Sequence, residues 1–254
     1  MSRTAFDLHV LILSEDAAGK ALRSLGALTK SMLRIVDPSY RPERVDLEPE
    51  AEEAQLAMHA NLWKGHKKAP GHQKLVTIAR AIARHVLDER GFVLFHMDGD
   101  QVWSNRTSSE NVRRFHDEMT LYVSRAVDDL IARSEDAHDK AAIMSRLFLV
   151  APYWCIESWL YQNTTVAKAL CHKHHRGLHA DRFEGWEQRR GELDEVEKPK
   201  EQVCLGSKHN DDLASQNFPA RAVYDVRKSF FETVERLRSS SSLIAALAET
   251  HPDY

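Results

Sequence analysis

Apolar residues are spaced in two ways along this chain. Short continuous runs occur at 8–14 (LHVLILS), 91–97 (GFVLFHM) and 146–151 (RLFLVA). Runs of that length without polar alternation are what strands buried on both faces of a parallel sheet require. Elsewhere the apolar residues recur every three or four positions. Leu22, Leu25, Leu28, Leu33 and Val36 predict a helix after the first run, ended by Pro38 and Pro42. A helix at 51–63 and a second at 73–88, the latter on Leu75, Ile78, Ile82 and Val86, precede the next run. Val112, Phe115, Met119, Tyr122, Ala126 and Leu130 predict one long helix, with Thr107 and Glu110 in a capping-box pattern. Residues 43–47 predict a short further strand, and a short helix carrying Ile156, Trp159 and Leu160 follows Pro152. Alternating strands and helices give an α/β fold with a mostly parallel sheet and flanking helices. The chain from about 180 to 215 is charged and aperiodic and reads as a long loop. Val223, Val226, Phe230, Val234 and Leu237 return the pattern to helix over 219–248, with a break at Ser239–Ser242. The expected organisation is a core over 1–165 and a mainly helical C-terminal part over 166–254.

Composition adds exclusions. Of 254 residues, 43% are hydrophobic and 29% charged, which excludes collagen-like, low-complexity and disulfide-scaffold chains. The net charge of −3 does not announce a nucleic-acid partner, but its distribution is uneven. Residues 54–87 hold Lys64, Lys67, Lys68, Lys74, Arg80 and Arg84 and no Asp or Glu. The segment WKGHKKAPGHQK therefore predicts an exposed loop whose lysines attract phosphates, with Trp63 stacking on a base or else packed beneath the loop. Arg106 is a further candidate phosphate contact, whereas Arg113 and Arg114 belong on the solvent face of the long helix. The three cysteines, Cys155, Cys171 and Cys204, match no common zinc spacing and no disulfide framework, so a reducing, cytoplasmic setting is expected. The cluster Cys171, His172, His174, His175 and His179, with Cys204 and His209 beyond it, is a weaker candidate for a transition metal or an HNH-type site. The apolar run Leu8–Leu13 is too short to span a bilayer and lacks signal-peptide flanks, so no membrane partner is expected.

The sharper chemistry is acidic. Glu15 follows the first apolar run, and Asp98 and Asp100 follow the run at 91–97. In open parallel sheets ligands sit outside the carboxyl ends of the strands, so these ends would gather three carboxylates. Residues two apart in an extended segment point the same way, and Gly99 permits close backbone approach. Carboxylates so gathered repel one another unless a cation lies between them, and Mg²⁺ suits an all-oxygen site. Asp-Gly-Asp is also ordinary turn chemistry. His96, just before the turn, either touches the site or serves as a hydrogen-bonded strand histidine.

A Glu after the first strand and an Asp-x-Asp after a later one resembles the signature of Toprim-fold proteins, here in LHVLILSED and FVLFHMDGD. The segment PYWCIESWLYQ resembles the proline-then-Ile-Glu-x-Trp-Leu stretch of RloB-like and overcoming-lysogenization-defect-type Toprim nucleases, with Glu157 and Trp159 at the matching positions. The resemblance covers roughly residues 6–165. It departs at the first turn, where Glu-Gly is replaced by Glu15-Asp16. It implies a Mg²⁺-dependent nuclease, with Mn²⁺ as a substitute ion, acting on RNA or DNA and serving as effector of a phage-defence or toxin system. Glu15 is then a general base or metal ligand, Asp98 and Asp100 metal ligands, and Glu157 a further site residue or a simple capping or ion-pair residue. No Walker A pattern is present, so a partner ATPase or sensor would be a separate subunit. The competing reading is a non-catalytic binding or assembly module, with Phe230 and Phe231 on the C-terminal helices forming a partner or homo-oligomer surface.

Overall fold

Four strands form one all-parallel sheet. In the computed structural model, β1 (Leu8–Ser14), β2 (Val45–Asp46), β3 (Gly91–His96) and β4 (Leu147–Val150) lie in the order β2-β1-β3-β4. The residues described are 7–15, 19–47, 52–59, 62–63, 69–100, 108–215 and 217–251. Ile12 pairs with Leu94, and Leu94 with Phe148. Alternation then divides the strand side chains between two cores. Leu8, Val10, Ile12, Phe92, Leu94, Phe148 and Val150 enter one, and Leu11, Leu13, Val93, Phe95 and Leu149 enter the other. Both faces are covered, which is why the apolar runs are continuous.

The second core is closed by α2 (Glu52–His59), α3 (Ala69–Leu87), α5 (Thr120–Ile131) and α6 (Lys140–Met144). Leu75, Ile78, Ile82 and Val86 of α3 are fully buried there. The long helix expected before β4 is divided. Ser109, not Thr107, caps α4 (Glu110–Arg114), its hydroxyl accepting the Val112 N–H. Thr107 lies outside the described residues. A π-helical stretch at Phe115–Met119 then leads into α5. The extra residue of a π turn rotates the helix beyond it, so Val123 and Val127 take the core centre, with Tyr122 and Ala126 at its margin. Arg113 and Arg114 pair with Glu110 on the helix surface, and Arg113 also with Asp117.

The first core continues far beyond the sheet. Leu25, Leu28 and Leu33 of α1 (Gly19–Val36) are buried in it. So are Trp159 and Leu160 of α7 (Glu157–Leu160), Ala167 and Leu170 of α8 (Thr164–His175), and Phe230 and Val234 of α13 (Ser229–Arg238). The stretch expected to be a charged loop at 180–215 is instead short helical pieces: α9 (Ala180–Gln188), α10 (Arg190–Leu193), 3-10 turns at Pro199–Gln202 and Ser207–His209, and α11 (Asn210–Ser215). Phe183, Trp186, Leu193, Leu205 and Leu213 anchor it. One buried side chain per turn or two is too sparse to register as a period. α12 (Ala220–Asp225) precedes α13, and α14 (Ser241–Glu249) follows it, capped by the Ser240 hydroxyl accepting from Leu243 N–H. Phe230 sits edge-on to Trp159 at 5.3 Å, and Phe231 is partly buried against Tyr224. Of the aromatic pair expected on a partner surface, Phe230 belongs to the chain's own core and Phe231 packs at its margin. Among the described residues no helix is long and apolar enough to cross a membrane.

Candidate functional site

The chain leaves β1 toward β2 on one side and leaves β3 toward β4 on the other. The crevice between the β1 and β3 carboxyl ends is therefore the sheet's topological switch point, where open parallel sheets bind ligands. Glu15 stands at one lip, its N–H donating to the His96 carbonyl at 3.3 Å. Asp98 stands at the other. Their approach is direct: the Asp98 backbone N–H donates to the Glu15 carboxylate. Residues 83 positions apart thus meet because β1 and β3 pair in register up to Ser14 and His96.

The Asp98-Gly99-Asp100 turn is held from two sides. On the β4 side, Ile156 N–H donates to Asp98 Oδ1 at 3.1 Å, and Asp100 N–H donates to the Trp154 carbonyl at 3.0 Å. A Cβ at Gly99 would run into the carbonyl oxygens of Pro152 and Tyr153, so the close approach that glycine permits is used here. On the helix side, the Ser109 hydroxyl donates to the Gly99 carbonyl, and Asn111 Nδ2 donates to the Asp98 carbonyl at 2.9 Å and to Asp100 Oδ2 at 3.2 Å. Beneath the turn His96 is fully buried, with Nδ1 2.9 Å from Ser14 Oγ and Nε2 3.9 Å from Asp98 Oδ1. It both fills the strand and touches the site.

The extended backbone stops at Asp100. Its φ of 49° is left-handed, which ends the extended alternation on which the shared-ion expectation rested, and its exposed carboxylate faces Asn111. Glu157 is held from the C-terminal part. It is 1% exposed, and its Oε1 accepts from Lys200 Nζ at 2.8 Å and Asn210 Nδ2 at 2.9 Å. The Pro-x-x-Cys-Ile-Glu segment thus meets the acidic turn through its backbone, and its carboxylate is tied to the C-terminal part. Cys155 lies between the two acids in electrostatic terms. Burial first, then the charges of Glu157 and Asp98, push its thiol far above the usual range.

Mg²⁺ takes oxygen ligands and is usually held by one or two carboxylates with several waters retained. Glu15 and Asp98 supply oxygen ligands of that kind at neighbouring strand ends, where the Glu15 carboxylate accepts the Asp98 N–H and Asp98 Oδ1 accepts the Ile156 N–H. A cage of three protein ligands does not fit, because among the described residues no three His, Cys, Asp or Glu side chains are grouped to hold an ion.

The basic candidates divide. Lys64, Lys67, Lys68 and Arg106 lie outside the described residues. Trp63 is 8% exposed and packs in the second core near Leu62 and Met58. An indole gains more by burying its apolar rings than by waiting in water, so it takes the packed place. Lys74 is half-buried on α3. A basic feature not anticipated from the sequence is a cleft of about 1110 Å³ between α1, β2 and residues 214–215 and 217–218, lined by Arg23, Lys30 and Arg34. Arg23 pairs with Asp211 at 3.0 Å. The signal was present as basic residues at helical spacing on α1, hidden by the apolar stripe beside them.

In the cysteine–histidine cluster, His209 packs 5.1 Å from His174 and 6.4 Å from His175. Burial, Lys208 and His174 hold its imidazole below the usual range. The chain matches no protein-family model, no curated protein and no solved structure.

Proposed function

We propose that the chain is a Mg²⁺-dependent nuclease acting on RNA or DNA, with a Toprim-like core. The observation that carries this reading is the meeting of Glu15 and Asp98 at the switch-point crevice between β1 and β3. Glu15 and Asp98 would hold the ion, which would stabilise negative charge on a phosphoryl oxygen. The chain's own contribution is orientation. Ile156 N–H fixes Asp98, and Asn111 and Ser109 fix the turn. Glu15 would also accept a proton from an attacking water, a role in which a carboxylate must lie within hydrogen-bond reach of that water. Asp100, exposed and held by Asn111, would add a carboxylate beside this pair.

Phosphate contacts would come from the lysine segment at 64–68, from Arg106, and from Lys30 and Arg34 on α1. An effector role in phage defence, beside a separate ATPase or sensor subunit, is part of the same proposal and rests on the Toprim resemblance alone. The test is incubation of the purified chain with labelled RNA and DNA in Mg²⁺, Mn²⁺ or EDTA. Cleavage that appears with either ion and disappears with EDTA supports the proposal. Binding without cleavage under all three conditions supports the assembly-module reading instead.

A further inference from the structure

Two thiols meet between α8 and the segment at 199–210. Cys171 in α8 is fully buried, and its Sγ lies 3.0 Å from that of Cys204, which is partly exposed. The backbone N–H of His179 donates to Cys171 Sγ at 3.3 Å and so fixes that sulfur on its far side. Among the described residues no third ligand joins them to hold a metal. The two residues are 33 apart in sequence and belong to different elements, so their contact is made by the fold.

We propose that Cys171 and Cys204 are a site of reversible oxidation, closing to an intramolecular disulfide under hydrogen peroxide. Closure needs an approach of only about 1 Å between the sulfurs. The steps balance with peroxide as the two-electron oxidant. The more accessible Cys204 thiol reacts first, giving a sulfenic acid and one water. The Cys171 sulfur then attacks the Cys204 sulfur, the sulfenic oxygen leaves as a second water carrying the Cys171 proton, and the S–S bond is made. Burial and the hydrogen bond to Cys171 push the Cys204 thiol up to about 11. Little thiolate is present at neutral pH, so closure requires excess peroxide.

The bond would have a structural consequence. Cys204 lies between Lys200 and Asn210, the two residues that hold Glu157, and beside Leu205, whose carbonyl accepts the Tyr161 hydroxyl at 2.9 Å. A link at 204 therefore staples the strap at 199–210 to α8. Cys155, buried and with its thiol pushed far up, has no sulfur partner among the described residues and serves as an internal control.

The experiment treats the full chain with hydrogen peroxide, blocks the remaining thiols and maps peptides by mass spectrometry. The expected product is a 171–204 cross-link that a dithiol reverses, with Cys155 still a thiol. Amide exchange over 199–210 should slow roughly tenfold in the oxidised form. Cys204→Ser, a change at a partly exposed sulfur, should fold and give no cross-link. Cys204 recovered as sulfinic acid with Cys171 untouched, cross-links between chains, a cross-link persisting in Cys204→Ser, or no oxidation would each overturn the proposal.

Discussion

A buried carboxylate outside the crevice gives the cleanest test at the level of single residues. Asp194 is 1% exposed, and its oxygens accept the Ser229 backbone N–H at 2.8 Å and the Ser229 hydroxyl at 2.6 Å. That hydroxyl in turn accepts from Trp159 Nε1 at 2.7 Å. Burial outweighs these bonds and pushes the Asp194 carboxyl up to about 6. A carboxyl raised on folding binds its proton more tightly in the native state, so its contribution to stability is present at low pH and is lost as pH rises to about 6. Asp194→Asn keeps an acceptor for Ser229 and removes the charge. Relative to wild type it should gain on the order of 2 kcal/mol between about pH 4 and pH 7, read from urea midpoints at each pH. At the same scale, the placement of Glu15 and Asp98 at neighbouring strand ends was legible because each follows an apolar run. The turn of Asp100 was not, because a positive φ at a non-glycine residue leaves no mark in a residue pattern. Nor was the burial of Glu157, whose partners Lys200 and Asn210 lie in a stretch that looked like loop.

At the level of elements, the acidic turn depends on what packs around it. Gly99→Ala places a methyl against the Pro152 and Tyr153 carbonyls and should cost about 1–3 kcal/mol in chemical denaturation. That loss would arise from displacing the β4-side backbone that holds Asp98. The α1 cleft makes a separate prediction. The Lys30→Ala, Arg34→Ala double variant should leave stability unchanged, weaken nucleic-acid binding and lower the salt slope of log affinity by about 2. A slope equal to that of wild type would remove α1 from the interface. Elements were legible where one face repeats over three or more turns, as in α3. The π turn at Phe115–Met119 and the short helices of 180–215 were not, since each spans too few residues to establish a phase.

At the level of the whole molecule, the C-terminal part is continuous with the sheet's own packing. Trp159, with residues of α8, α9 and α13, forms one cluster with Ile12 and Leu94. Trp159→Ala should therefore cost about 3–5 kcal/mol. Circular dichroism and fluorescence should report a single coincident unfolding transition rather than two. The parallel sheet was readable from its runs, but the shared core was not, because nothing in a linear pattern says which face a distant helix covers. The central claim remains that two strand ends bring Glu15 and Asp98 together for phosphodiester chemistry. It is tested most directly by comparing Mg²⁺-dependent cleavage of labelled RNA and DNA by wild type and by Asp98→Asn of matching circular dichroism. The expected result is a loss of about 100-fold or more in the variant. Equal rates in the two proteins, or no cleavage by wild type with any divalent ion, would contradict it.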